Sequence, residues 1–317
     1  MKFGELKNSS LIKGLISFLI SGGFVILLLN RLQSVDFSTL TLTSVKLPYI
    51  FLSILFYVSG QGFRAMAWHH GFDRDLKTHS VFKAITLGNG ANMVLPFRMG
   101  EALRIGAIRT LYPNKKISNI ALYLLSERLM DVVVLALIAV TTAFFLPFSP
   151  EIESKVKTIQ ILILLGGVIG PLFFYGLSKL TSIKPIQRFF ALIHTPPFNS
   201  LKNWGIILFY MLLSWTMVYG SIWMGIISIG GSGQELLGAL LVLIFTNLGM
   251  LIPSAPGGIG IFQYATVTAL TMTHFTTAES AILAVLLHIL QYMALIPLAI
   301  YYFLRLGLKG GSSCNNI

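Results

Sequence analysis

Charge and cysteine are what this chain has least of. Only 11% of its 317 residues are Asp, Glu, Lys or Arg, while 55% are hydrophobic. Soluble domains carry about 25% charged residues, so a water-soluble fold is excluded and the chain reads as an integral membrane protein. One cysteine, Cys314, stands in a polar tail; it excludes an intrachain disulfide and a cysteine metal cluster, and says nothing of redox compartment. The histidines lack an HExxH-like spacing, so no metal site is expected, and GGIG at 257–260 has no βαβ context for a dinucleotide. No cofactor is expected. Acidic residues are also few, 11 against 23 Lys and Arg, for a net charge of +12. That surplus would suit nucleic acid, but the basic residues lie in short segments between apolar runs, where they report topology instead.

What the chain does have is long apolar runs. A hydrocarbon core of about 30 Å needs about 20 helical residues, and runs near 11–30, 47–68, 117–146, 158–178, 204–228 and 281–304 predict six full spans. The first follows Lys2, Lys7 and Lys13 and has no small-residue cleavage site, so it reads as a retained anchor rather than a signal peptide. With the N-terminus inside, only Arg31, Lys46, Lys155 and Lys157 fall in outer loops and Arg128 within a span. All other basic residues are then cytoplasmic, which places both short tails on the cytoplasmic side of the cell membrane. The expected organisation is one transmembrane domain over 1–317.

Two apolar segments, near 80–112 and 236–275, are broken. NMVLPFRMGEALR (92–104) and GMLIPSAPGGIGI (249–261) each place a proline four residues before a glycine, Pro96 before Gly100 and Pro253 before Gly257. Proline removes a backbone donor and glycine permits the chain to turn back, so both segments are expected to be re-entrant. The first is flanked by Arg and Lys and dips from the cytoplasm; the second is entered from GGSGQE (230–235) and dips from outside. The resulting fold class is an all-α polytopic membrane protein with six full spans and two oppositely oriented hairpins, compatible with an inverted repeat. Facing discontinuous helices mark midplane substrate sites in transporters. The helix restarting after Pro256, Gly257 and Gly258 would offer free N–H groups to a phosphate; the plainer alternative is a kink that serves close packing.

Charges inside the apolar runs sharpen this reading. LLSERLMDVVVL puts Glu127, Arg128 and Asp131 within a span, where each costs at least about 2.5 kcal/mol unless it faces the protein interior. Either they form an interhelical salt bridge that fixes packing, or Arg128 pairs with a lipid phosphate while the acids tune it. Arg64, Arg98, Arg104 and Arg109 gather near the first break, with Glu101 among them, and guanidinium groups suit bidentate phosphate contact. Spacing places Arg98 or Glu101 beside Arg104 on the restarted helix. Asn89, Asn92, Asn247, Gln263, His288 and Gln291 are polar residues in apolar runs that either line a cavity or bond between helices. Gly166 and Gly170 read as helix packing, and Trp, Tyr and Phe near span ends as interface anchors.

Taken together, RAMAW (64–68), NMVLPFRMGEALR, SERLMD (126–131) and PSAPGGIG (253–260) resemble the transmembrane region of lysylphosphatidylglycerol synthase, a flippase-like family that includes stand-alone members. The resemblance implies movement of aminoacylated phospholipids between leaflets, or a step in polyprenyl-linked glycolipid handling. By motif it points to Arg64, Pro96, Gly100, Glu101, Arg104, Glu127, Arg128, Asp131, Pro253, Pro256, Gly257, Gly258 and Gly260. Where the family pattern carries a glutamate shortly after PGGxG, this chain has Gln263. The chain ends soon after its last apolar run, so no synthase domain and no enzymatic activity are expected. Three function classes follow: a flippase for a phospholipid or polyprenyl-phosphate lipid, a membrane-embedded transferase with Glu101, Glu127 or Asp131 as base, or a non-transporting subunit of a separate lipid-modifying enzyme.

Overall fold

The computed structural model describes residues 3–33, 45–145, 200–229, 235–250, 252 and 255–312. The span expected near 158–178, Gly166, Gly170, Pro253 and Cys314 lie outside the described residues. Within them there are nine α-helices and no strands: α1 (Phe3–Leu32), α2 (Leu47–Ala67, continued by a π turn Trp68–Phe72), α3 (Thr78–Val94), α4 (Met99–Leu111), α5 (Ile117–Phe145), α6 (Leu201–Ile227), α7 (Glu235–Gly249), α8 (Ile261–Thr271) and α9 (Thr277–Ser312). Among the described residues, three stretches are long and apolar enough to cross a bilayer: Leu47–Phe72, Leu201–Ile227 and Thr277–Leu306.

Local chemistry sets several of these boundaries. Thr276 and Glu279 form a reciprocal cap at the start of α9: Glu279 Oε2 accepts from Thr276 N at 2.8 Å, and Glu279 N donates to Thr276 Oγ1 at 3.2 Å. Pro96 and Pro256 each open a short 3-10 turn, at Pro96–Arg98 and Pro256–Gly258, because neither can donate the bond that would continue a helix. The second turn begins at Pro256, and Pro253, which the sequence set against Pro96, lies outside the described residues. Gly257, Gly258 and Gly260 have φ of 67°, 71° and 88°, and in the first break Arg98 takes the left-handed region at φ 52°.

The framework is antiparallel packing. Along α2 and α6, Ser53 Oγ donates to Ser221 O at 2.8 Å, Gly60 lies against Ser214 and Gly71 against Ile207. α3 and α4 fold on each other so closely that a Cβ on Gly100 would stand 1.8 Å from Gly88 O. α7 and α8 form a second hairpin, with Gly249 against Ile261 and Gly238 against Leu270. α9 runs along α3, pairing Tyr302 with Phe82 and Tyr292 with Met93. α1 lies beside α8, with Phe24 on Tyr264 and Arg31 donating to Thr271 Oγ1 at 2.7 Å.

Apolar side chains are not confined to the interior. Val285, Ile289, Met293 and Ile300 form an exposed stripe on α9, as do Leu125, Leu129, Val132 and Val133 on α5. Such stripes would drive aggregation in water; against lipid tails they are the expected outer face. On α5 the opposite face carries Glu127 and Asp131, both buried.

Candidate functional site

The charged residues converge where α2, α4, α5 and α6 meet. Arg64 and Trp68, four apart, share the inner face of α2, and Glu127 and Asp131, also four apart, share that of α5. α4 supplies Arg104 and α6 supplies Trp215. Glu127 accepts from Arg64 Nη1 at 3.1 Å, from Arg104 through both Nη1, at 3.0 Å, and Nη2, and from Trp68 Nε1. Asp131 receives Arg64 Nη2 at 2.7 Å and Trp215 Nε1 at 2.9 Å. The indoles also face the guanidinium groups: Arg104 stands 4.6 Å from the Trp68 ring centroid and Arg64 5.3 Å from that of Trp215. Arg104 and Glu127 are each 1% exposed. Two carboxylates and two guanidinium groups thus cancel in charge, and the carboxylate oxygens are filled by guanidinium and indole donors, while Arg104 Nε is buried without a partner.

This assembly changes the reading of several residues. Arg64 and Arg104 point at carboxylates and not at open space. Arg109 Nη1 bonds the carbonyls of Pro113 and Lys115, the latter at 2.7 Å. Arg98 is exposed, and its Nη2 donates to Met250 O, so it ties the first break to the second. Glu101 does not pair with Arg104; it stands 3.4 Å from Arg128 Nε. Arg128 also reaches Asp131 Oδ2 at 3.2 Å. With side-chain exposures of 36% and 32%, Arg128 and Glu101 are the accessible edge of the cluster. Trp68 is fully buried, so it is not an interface anchor. Trp215 was not singled out from sequence, because a tryptophan in an apolar run carries no signal of a carboxylate partner.

The two breaks touch. Besides the Arg98 link, Tyr292 of α9 donates to Met93 O at 3.1 Å and lies against Gly257, where a Cβ would stand 2.0 Å from its hydroxyl. Pro256, Gly257, Gly258 and Gly260 line the second break, but the start of α8 is not an open anion site: Gln263 Oε1 accepts from Gly260 N at 2.8 Å. Upstream, Ser21 Oγ accepts from Ala255 N at 2.7 Å. Gln263 Nε2 lies 2.7 Å from His288 Nδ1, and His288 Nε2 lies 2.9 Å from Gly257 O. Asn89 bonds Gln61 and Asn92 accepts from Gly100 N, each at 2.8 Å, while Asn247 donates to Leu243 O. Asn89, Asn92, Gln263 and His288 thus bond between segments, whereas Asn247 bonds within its own helix. Among the described residues no group of three His, Cys, Asp or Glu is placed to hold a metal ion.

Lys115 Nζ stands 2.7 Å from both Asp73 Oδ2 and Asp75 Oδ2, clasping the loop after α2 to that before α5. Burial alone would lower the pKa of Lys115, but hydrogen bonds and the charges of Asp73 and Asp75 outweigh it and raise it. The exposed Asp75 is held low by its hydrogen bond from Lys115 and then by that charge.

Comparison with known proteins gives one family. The model described as Lysylphosphatidylglycerol synthase TM region matches residues 14–299. No curated protein and no solved structure matches the chain.

Proposed function

The chain belongs to the lysylphosphatidylglycerol synthase transmembrane-region family, and from that premise we propose that it is a lipid flippase that carries a phosphate-bearing headgroup past the junction of its two breaks. The observation that carries this reading is the division of labour among the arginines. Arg64 and Arg104 are committed to Glu127 and Asp131, whereas Arg128 is partly exposed and held by a partly exposed partner, Glu101. A headgroup phosphate competes with Glu101 for Arg128 more readily than it could enter the buried quartet, since guanidinium pairs phosphate bidentately. The substrate class is an aminoacyl phospholipid or a polyprenyl-phosphate lipid, with acyl chains left in the bilayer along the exposed apolar faces.

The architecture proposed with it is six full spans and two hairpins inserted from opposite sides, in a cell membrane with both termini cytoplasmic. The order helix, hairpin, helix recurs in α2 to α5 and in α6 to α9, and the antiparallel α2 and α6 pairing agrees with an inverted repeat. No chemistry is assigned to the chain. Of the three carboxylates that a transferase could use as base, Glu127 and Asp131 are saturated by donors, which leaves that reading Glu101 alone. A subunit role alongside a separate lipid-modifying enzyme requires none of the exposed Arg128 geometry.

The test uses the full chain in vesicles with nitrobenzoxadiazole-labelled aminoacyl-phosphatidylglycerol or polyprenyl phosphate, read by dithionite quenching. Arg128→Gln is expected to reduce translocation at least tenfold with folding retained. Unchanged translocation by that variant sinks the site, and no translocation by the parent chain with either probe sinks the function.

A further inference from the structure

The second break is closed by a chain of hydrogen bonds with only one consistent polarity. Gly260 N is a donor, so it fixes the Gln263 amide with Oε1 toward it and Nε2 toward the imidazole. Gly257 O is an acceptor, so His288 Nε2 carries a proton. His288 Nδ1, 2.7 Å from the amide nitrogen, must then present a lone pair. The ring is held in place, stacked on Phe262 at 4.4 Å and 18° and edge-on to Tyr292 at 4.9 Å. It is 6% exposed.

We propose that Gln263, His288 and the Gly257 carbonyl form a proton-binding clasp, and that one proton taken from the aqueous phase at His288 Nδ1 releases the second break. The added N–H faces an amide NH2, donor against donor. Turning the amide satisfies the ring but sets NH2 against Gly260 N–H and removes the cap of α8. In either arrangement one buried donor loses its partner, at the point where Gly257, Gly258 and Gly260 hold left-handed backbone without side chains to restrain it. The clasp thus supplies an ion, the proton, to the transport reading on which its functional meaning rests; its geometry stands apart from that reading.

Neighbouring charge does not offset the proton. Tyr292 is the titratable side chain in contact with the ring. On α8, Tyr264 turns to Phe24 of α1, and Arg31 of α1 bonds Thr268 and Thr271. Arg98 of the first break is on Met250 O, and Arg64 of α2, with Tyr57 near it, is in the buried quartet. On α3, His79 and Lys83 precede Met93 by ten residues or more, about 15 Å of helix. On α6, Tyr219 bonds Leu236 O and Tyr210 stacks on His70, while Glu279 of α9 is held in its own N-cap and Arg305 lies by Tyr301.

Hydrogen exchange of the segment 255–266, in the full chain in nanodiscs and corrected for intrinsic rate, tests the clasp. Protection is expected to fall about tenfold between pH 8 and pH 5.5, the effect of one buried donor losing its partner. Gln263→Glu should abolish the pH dependence, because a carboxylate accepts from Gly260 N and from a doubly protonated imidazole together. His288→Phe should give low protection at both pH values; if that variant fails to fold, Gln263→Glu alone decides. Flat protection in the parent chain, or pH dependence that survives Gln263→Glu, overturns the clasp. Vesicle translocation measured alongside separates the two ideas: a switching clasp without translocation refutes the lipid reading, and translocation with flat protection refutes the clasp.

Discussion

Replacing Glu127 by Gln keeps the shape of the side chain and removes one charge from a site that has no other way to balance it. Glu127 accepts from two guanidinium groups and an indole and is 1% exposed. After the change Arg104 has no carboxylate, and one of the new amide's hydrogens must face a guanidinium. Breaking a buried pair in this way costs about 3–5 kcal/mol, against a total stability of about 5–15 kcal/mol for a folded domain. At roughly 2–4 °C per kcal/mol, melting in mild detergent should fall by about 6–20 °C. Fluorescence of Trp68 and Trp215, which touch the quartet, is the natural readout. The reasoning makes a further demand. Arg104→Met removes the uncompensated cation while its stem still packs on Trp68, so the double variant should be more stable than Glu127→Gln by more than 1 kcal/mol. A melting shift within 2 °C for the single variant, or simple additivity in the cycle, would refute the view of the quartet as a closed, mutually neutralised unit.

Other outcomes follow from the same geometry. Gly257→Ala, at φ 67° and with its Cβ 2.0 Å from Tyr292 Oη, should cost about 2–5 kcal/mol, while Gly62→Ala, with nothing within 4 Å, should be neutral or stabilise by about 0.5 kcal/mol; equal melting temperatures would contradict the close contact of the breaks. Trp215→Phe removes a donor from Asp131 and should cost about 1.5–3 kcal/mol in the same melting assay. The Lys115 clasp should be insensitive to pH near neutrality. The contribution of Lys115, whose pKa is raised, is present below about 10.4 and lost as pH rises through the raised value. That of Asp75, whose pKa is lowered, is present above about 3.9 and lost as pH falls through the lowered value. Exchange protection over 73–78 should therefore be flat from about pH 5 to 9 and drop at every pH in Lys115→Met; a slope inside that window would count against the pairing.

The sequence by itself determined the class of the molecule and where its helices stop. Apolar runs longer than a bilayer needs, and prolines that cannot continue a helix, act through neighbours in the chain, so α2 begins at Leu47 and α5 spans 117–145 close to where hydropathy placed them. The same local logic located the first break at Pro96, put the second among Pro253, Pro256 and Gly257, and made Glu127, Arg128 and Asp131 conspicuous. Only the tertiary structure decided which charge meets which. Arg64 and Arg104 carry the same signal as Arg128 when read along the chain, because every guanidinium near an apolar boundary looks available to a phosphate. Their committed partners come from helices 23 to 67 residues away, and Trp215, 84 residues from Asp131, completes the set. Gln263 likewise looks like a lost acid until His288 is folded against it, 25 residues on, when the amide becomes the one group able to bond a backbone donor and a neutral imidazole at once. Pairing of this kind depends on distances across a folded bundle, which periodicity and composition do not encode.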